Sequence, residues 1–320
     1  MEQKKLVIAL GGNALGNTPE EQLNLVSHTA RIIGSLAAEG HRVIVAHGNG
    51  PQVGMINAAC DFAAARGAGT PSIPFPECGA MSQGYIGYHL AQALRNEFKK
   101  RGLDKEAVCL VTQVLVDKND PAFNKPTKPV GSFITKEQAE KIASETGFVF
   151  VEDAGRGWRR VVASPLPRKI VELKTAEKLI ESGAVVIIVG GGGIPVVENE
   201  DGFLEGIPAV IDKDRSSALL AREIGADMLL ILTAVEKVYI HFNKPEQRAL
   251  DTLTLAEARG YIAEGHFAPG SMLPKIEACI DFLEHSADGA QALISSLEKA
   301  QEALHGKTGT RLYIEQNISS

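Results

Sequence analysis

The chain has 320 residues, 44% of them hydrophobic and 22% charged, and a formal charge of −6. That composition is ordinary for a globular protein, and its acidic balance argues against a general nucleic-acid or anionic-membrane surface, so any anion site must be local. Cys60, Cys78, Cys109 and Cys279 form no CxxC pair; with no secretory pattern at the start and no run near the roughly 18–20 apolar residues of a membrane span, reduced thiols and a cytoplasmic location are expected.

The first element is a strand, Leu6-Val7-Ile8-Ala9-Leu10, which stops at Gly11-Gly12-Asn13. Pro19-Glu20-Glu21 opens a helix with apolar positions Leu23, Val26, Ile32, Ile33 and Leu36, closed by Gly40. A second strand, Val43-Ile44-Val45-Ala46-His47, stops at Gly48-Asn49-Gly50. Helices are expected over about 53–66 and 79–101, with a Gly/Pro/Ser-rich loop at 67–76 between them, and then one strand over 108–116. From Asp117 to Pro167 prolines and aromatics concentrate. This stretch reads as a small protruding subdomain with a helix starting near residue 136, capped by Thr135, and strands at 148–151 and 160–162. A helix at about 170–182 leads to a third run, Val185 to Val189, which ends in Gly190-Gly191-Gly192-Gly193. Beyond it, Asp214 is expected to cap a helix to about Ile224, and Met228–Thr233 is a buried strand. Capping boxes are read at Thr254–Glu257 and Ser295–Glu298, Pro274 fits the first position of a helix ending near His285, and a strand covers 310–314.

Runs of β-branched and aliphatic residues without alternation predict strands buried on both faces. Their alternation with helices gives an α/β fold: an open, mostly parallel sheet sandwiched by helices, with the subdomain standing off it. At this length one domain or two lobes are open, since single cores stop growing near 250–300 residues. Three glycine-ended strands meeting at one sheet edge would form an anion pocket. Glycine lets a bound group approach the backbone, and a following helix N-terminus favours negative charge.

Familiar phosphate motifs fail. Gly306-Lys307-Thr308 resembles a P-loop tail, but the required first glycine would fall at Gln301 and a helix precedes it. Gly48-Asn49-Gly50-Pro51-Gln52-Val53-Gly54 has its third glycine one residue late for a dinucleotide fingerprint, which disfavours a nicotinamide enzyme. No HExxH, His/Cys cluster or GxSxG supports zinc hydrolysis or a serine nucleophile.

Phosphoryl transfer needs cations and N–H donors in fixed positions. Lys213, between Asp212 and Asp214 at a helix start, is the best candidate; flanking carboxylates hold a lysine cationic and aimed. Lys275 follows the constrained loop Pro269-Gly270-Ser271-Met272-Leu273-Pro274, and a cation in a first helical turn opposes the dipole unless an anion compensates. Lys128 sits between Pro126 and Pro129. Each, taken alone, is more commonly a solvated lysine. Arg156-Gly157-Trp158-Arg159-Arg160 is a basic knot, either a solvated face or an anion-responsive hinge. Asn13 and Asn49 could hydrogen-bond a small polar substrate or simply favour a turn, and His47 could be a strand-end filler.

Together these segments resemble the amino acid kinase family. The matching blocks include Ala9–Ala14, His47–Gly54, Met81-Ser82-Gln83-Gly84, Pro126–Pro129, Glu152–Arg159, Gly190–Val197, Ala209–Asp214 and His266–Lys275, in order along almost the whole chain. Within the family the resemblance is to the branch carrying the Lys128 subdomain, which implies reversible transfer between carbamoyl phosphate and ADP, giving ATP and carbamate, with Mg²⁺ held mainly through the nucleotide. It also implies an α/β/α sandwich and a homodimer. Residues 1–200 would form the carbamate lobe, 117–167 the protruding subdomain and 201–320 the nucleotide lobe. The resemblance assigns Lys213 and Lys275 to the phosphates and Asp214 to orienting them. Gly11, Gly12, Asn13, Gly48 and Asn49 would line the carbamate end, with Lys128 reaching over from the subdomain. Gly190, Gly191, Gly192, Gly193, Thr233, Ala234 and Met272 would lie on the nucleotide side. Ala234-Val235-Glu236 departs from the family's usual Gly-Val-Asp and leaves the base preference open. Transfer to a larger carboxylate such as acetylglutamate, or nucleotide sensing without turnover, are the alternatives.

Overall fold

A computed structural model describes residues 3–11, 15–16, 18–67, 69–153 and 155–315. In chain order, β1 (Lys5–Leu10), α1 (Pro19–Ala38) and β2 (Arg42–His47) lead into α2 (Gly50–Ala65), α3 (Phe75–Arg101), β3 (Ala107–Cys109) and β4 (Gln113–Val116). Next come β5 (Lys128–Ile134), α4 (Lys136–Thr146), β6 (Val149–Glu152), β7 (Trp158–Val162), β8 (Pro167–Ile170), α5 (Leu173–Glu181), β9 (Val185–Ile187) and β10 (Ile194–Glu198). The remainder is β11 (Leu204–Gly206), α6 (Lys213–Glu223), β12 (Met228–Thr233), β13 (Val238–Ile240), β14 (Arg248–Leu250), β15 (Thr252–Thr254), α7 (Leu255–Ala263), α8 (Met272–Glu284), β16 (Gln291–Ser296), α9 (Ala300–Leu304) and β17 (Thr310–Tyr313).

The main sheet has eight strands in the order β15-β17-β16-β12-β1-β2-β9-β3. All its pairings are parallel except β16 with β17. Strand side chains alternate between faces, and the core divides accordingly. Val7, Ala9, Ile44, Ala46, Leu229 and Ile231 pack with residues of α5, α6, α7 and α8 on one face. Leu6, Ile8, Leu10, Val43, Val45 and Leu230 pack with α1, α3 and α9 on the other. Burial on both faces is why these strands read as unbroken apolar runs.

Several elements differ from the sequence expectations for identifiable reasons. The strand expected over 108–116 is two strands in two sheets, β3 in the main sheet and β4 in a second sheet of order β11-β10-β4-β8. The break falls at Thr112, whose backbone N–H donates to Gln83 Oε1 at 2.8 Å while its carbonyl accepts from Gln83 Nε2 at 3.1 Å. The third glycine-ended run likewise leaves the main sheet after Ile187 and resumes as β10. At that exit Val189 takes φ 48°, rare for a β-branched residue, with its N–H bound to Thr112 Oγ1 at 3.2 Å. Ser295 and Ser296 do not cap a helix; they pair in register with Leu232 and Thr233 of β12, where tertiary pairing overrides the local capping pattern. Helix α3 begins at Phe75 because Pro76 is tolerated in a first turn. Helix α2 likewise begins at Gly50, ahead of Val53, with Pro51 in its first turn. Pro274 is the third residue of α8, whose cap is Ser271.

Residues 128–162 form a three-stranded antiparallel sheet, β5-β7-β6, with α4 against it. Strand β5, which begins at Lys128, is not among the elements expected from the sequence. Val130 and Val162 of this unit join Val53, Phe75, Cys78 and Val210 in a small apolar cluster, and α2 meets β5 where a Cβ on Gly54 would lie 2.1 Å from Gly131 Cα.

Candidate active site

Strands β1, β2 and β9 are adjacent and parallel, so the three glycine-ended termini do meet at one sheet edge. Chain order reverses at β1, with β2 and β9 on one side and β12 on the other. The crevice beyond the strand ends at such a reversal is where open α/β sheets take ligands.

Helix α6 starts at this edge. Its cap is Asp212, not Asp214: Asp212 Oδ1 accepts the backbone N–H of Asp214 at 2.8 Å and of Arg215 at 3.4 Å. That frees the Asp214 side chain, 2% exposed, to accept both Lys213 Nζ and, at 3.0 Å, Lys275 Nζ. Lys128 reaches across from β5 to donate to Asp212 Oδ2 at 2.5 Å. Three ammonium groups face two carboxylates, so the cluster carries net positive charge within a protein of charge −6.

Burial lowers the Lys213 pKa, with Asp214 opposing the shift. Burial acts the same way on Lys275, but there the attraction of Asp214 outweighs it and the pKa rises. Asp212 would be raised by burial, yet the Lys128 ammonium overrides this and holds its carboxyl well below the usual range. Two ammoniums sharing one buried carboxylate repel each other, and a bound anion would relieve that strain.

The glycines divide into two kinds. Gly48 leaves room: a Cβ there would meet only the Lys213 stem, at 3.5 Å and beyond. Gly11 is set by the neighbouring strand, since its N–H donates to Leu232 O at 3.0 Å and a Cβ would lie 2.8 Å from that oxygen. At Gly190 to Gly193 it is the protein itself that fills the Cβ positions. His47 Nε2 would lie 2.4 Å from a Cβ at Gly190, Asn49 Nδ2 2.1 Å from one at Gly191, Ile211 O 2.2 Å from one at Gly192, and Val114 Cγ2 2.2 Å from one at Gly193. The N–H groups of Gly192 and Gly193 donate to Val189 O and Gly190 O. Close internal packing therefore accounts for glycine at these four positions, in place of the expected approach of a bound group.

Thr233 ends β12 on the far side of β1 from Gly48, and Ala234 beside it is exposed. Glu236 accepts Thr308 Oγ1, tying the departing loop to the approach to β17. Met272 is the half-buried first residue of α8, one turn before Lys275. Gly12 and Asn13 lie outside the described residues. Two arginines of the basic knot share one carboxylate within the subdomain, Asp153 accepting from Arg156 at 2.9 Å and from Arg159 at 3.2 Å. Arg160 instead reaches Asn57 of α2 at 2.6 Å and lies over the Phe148 ring.

Three residues at the site have no functional role in the sequence reading, His47, Ser82 and Gln83, and Asp212 is read there only as a carboxylate flanking Lys213, not as the cap of α6 and the partner of Lys128. The sequence shows them beside assigned residues, but their partners come from distant elements. His47 is fully buried; its Nδ1 pairs with Gly48 O at 2.9 Å, and Nε2 has no partner among the described residues. Burial, reinforced by Lys213, lowers its pKa to about 4.

A model described as the amino acid kinase family matches residues 4–294. The chain belongs to the amino acid kinase family. Among its relatives, carbamate kinase of Staphylococcus haemolyticus is 56% identical over 306 residues, covering 96% of this chain and 98% of its own. Carbamate kinase of Staphylococcus epidermidis is 53% identical with the same coverage. Among solved structures, carbamate kinase from Giardia lamblia bound to AMP-PNP superposes with a TM-score of 0.88 at 42% identity, over 98% of this chain and 99% of that one. N-acetylglutamate synthase from Neisseria gonorrhoeae, at 16% identity and a TM-score of 0.59, shares the fold alone.

Proposed function

We propose that the chain catalyses the carbamate kinase reaction, reversible phosphoryl transfer from carbamoyl phosphate to ADP giving ATP and carbamate. The observation that carries this reading is the shared salt bridge of Lys213 and Lys275 on Asp214, beside Gly48 at the sheet edge, in a chain 56% identical to a carbamate kinase over nearly its full length.

The chemistry asks little of the protein beyond charge. The bond from phosphorus to the carbamate oxygen breaks as one forms to a terminal oxygen of ADP. Carbamate leaves as an anion, so no general acid is required, and in reverse it attacks without a base. The barrier is anionic repulsion, which aimed ammonium groups lower. Lys213 and Lys275 neutralise the moving phosphoryl group, Asp214 sets their spacing, and Lys128 turns from Asp212 to the substrate's phosphate. Gly11, Gly12, Asn13, Gly48 and Asn49 form the carbamate end. Thr233, Ala234 and Met272 face the nucleotide, with Gly190 to Gly193 as the packed floor between. On this reading residues 1–200 hold the carbamate end and 201–320 the nucleotide.

A Mg²⁺ ion bound with the nucleotide would supply charge neutralisation at the phosphates. Among the described residues no group of three or more His, Cys, Asp or Glu could hold a metal ion. Asp212 and Asp214 are already engaged by lysines, so phosphate oxygens and water would hold the ion, as it prefers. A cytoplasmic homodimer completes the proposal. No described helix is long and apolar enough to cross a membrane, and Met81 and Tyr88 on α3 and Phe203 before β11 are exposed apolar side chains suited to a subunit face.

The test is ATP formation from carbamoyl phosphate, ADP and Mg²⁺, run beside acetylglutamate with ATP. Turnover of the first pair alone is expected. Turnover of acetylglutamate, or tight nucleotide binding with no turnover of either, would overturn the reading.

A further inference from the structure

Asn49 is the N-cap residue of α2, yet its side chain makes no capping bond. Asn is favoured at that position because its side-chain oxygen accepts a free N–H of the first turn, so a carboxamide that forgoes the bond is held elsewhere. Asn49 Nδ2 donates to Ser82 Oγ of α3 at 2.8 Å, and Ser82 Oγ donates onward to Gly79 O at 2.7 Å. Ser82 is solvent-inaccessible and Asn49 is 6% exposed. The carboxamide lies against Gly191: its nitrogen, carbon and oxygen would stand 2.1, 2.2 and 2.5 Å from a Cβ there. The adjoining Gly190 carbonyl accepts from Gln83 Nε2 at 3.0 Å. Thus two consecutive residues of α3 fix Asn49, one by holding its amide nitrogen and the other by pinning the floor beneath it.

We propose that Ser82, backed by Gln83, is a positioning residue that turns the Asn49 carboxamide so that its oxygen accepts an N–H of the substrate's carbamoyl group, making this contact the basis of selection for carbamoyl over acetyl phosphate. The inference rests on the carbamate kinase reading above. A carboxamide committed through its nitrogen presents its oxygen in a fixed direction, and that oxygen pairs with an amide N–H but not with a methyl group. Sites built to hydrogen-bond a substrate N–H strongly reject an analogue lacking it, because a polar group is then left unpaired.

The experiment is a double-mutant cycle on Ser82→Ala and Asn49→Ala, read as kcat/KM for carbamoyl phosphate and for acetyl phosphate, KM for ADP, and Tm. Ser82→Ala should lower kcat/KM for carbamoyl phosphate about tenfold, the loss of one oriented hydrogen bond, while acetyl phosphate turnover and KM for ADP stay within a factor of two or so. In the Asn49→Ala background Ser82→Ala should have almost no further effect on kcat/KM. A merely structural role would instead lower both substrates together or give additive losses, and either result overturns the proposal. Inactive wild-type protein would overturn the underlying reading, whereas active wild type with additive variants would overturn this inference alone.

Discussion

Strand β1 and the subdomain sheet are built to different standards. Every residue from Leu6 to Leu10 is solvent-inaccessible, and the flanking strands are nearly as deeply covered. In the subdomain Val130, Val161 and Val162 are buried, but Phe133, Val149 and Val151 remain 38–48% exposed. The body holds its shape by burial of apolar surface on both faces. The subdomain is held by a small apolar cluster, a glycine-to-glycine contact, Arg160 on Asn57, and Lys128 on Asp212. Lys213 and Lys275 stand in the first turns of packed helices, whereas Lys128 comes from the subdomain sheet.

That contrast predicts a ranking. Lys213→Ala and Lys275→Ala should each slow turnover by about 10²–10³-fold, as loss of one transition-state charge contact does; activity within a factor of a few of wild type would remove them from the chemistry. Asp214→Asn should also lower turnover with little loss of Tm, since Asp212 rather than Asp214 caps α6; a large drop in Tm with turnover intact would make Asp214 structural.

The body should answer to acid before the Lys128–Asp212 contact does. His47 has a folded pKa lowered from 6.5 to about 4. The unfolded chain therefore binds more protons between those values, and stability falls as pH drops through that window, by on the order of 3 kcal/mol. His47→Asn should flatten the urea midpoint between pH 7 and pH 4.5. Asp212 has a depressed folded pKa, so its contribution persists above the unfolded value of about 3.9 and is lost only as pH falls below it. An unfolding midpoint indifferent to pH above 4.5 in wild type would contradict the His47 assignment.

Lys128→Met should cost about tenfold in kcat/KM for carbamoyl phosphate, about 1.4 kcal/mol, and should also lower Tm, because it leaves the buried Asp212 carboxylate without its ammonium partner. A loss matching that of Lys213→Ala would mean the subdomain's cation is as indispensable as those on the packed helices. The smallest effect belongs to the subdomain surface. Arg156 is 62% exposed in its pair with Asp153, which Arg159 also holds, so Arg156→Ala should change stability by less than about 1 kcal/mol. A greater loss in thermal unfolding would show the basic knot to be structural.

Much of this molecule is written locally. The strands β1, β2 and β12 are unbroken apolar runs, and the Thr135 and Thr254 capping boxes form as their spacing requires. Lys213 between two acids identified the start of α6. Three things were not legible, each because it depends on a partner far along the chain. The split of 108–116 into β3 and β4 depends on Gln83, twenty-nine residues from Thr112. The role of Asp214, which accepts from Lys275 of α8 rather than capping α6, depends on a residue sixty-one positions away. Gly190 to Gly193 suggest a phosphate cradle in sequence because glycine announces only the absence of a Cβ. What occupies the space is set by packing, and here it is His47, Asn49, Ile211 and Val114.

The sequence alone determined the buried strands, the helices between them and the lysines fit for phosphoryl chemistry, because periodicity, capping and flanking charge act within a few residues. Tertiary structure decided which carboxylate each lysine meets, how the Asn49 side chain is turned, and what fills the glycine turns. Those are contacts across the sheet edge, and their energies exist only once the strands have been brought into register.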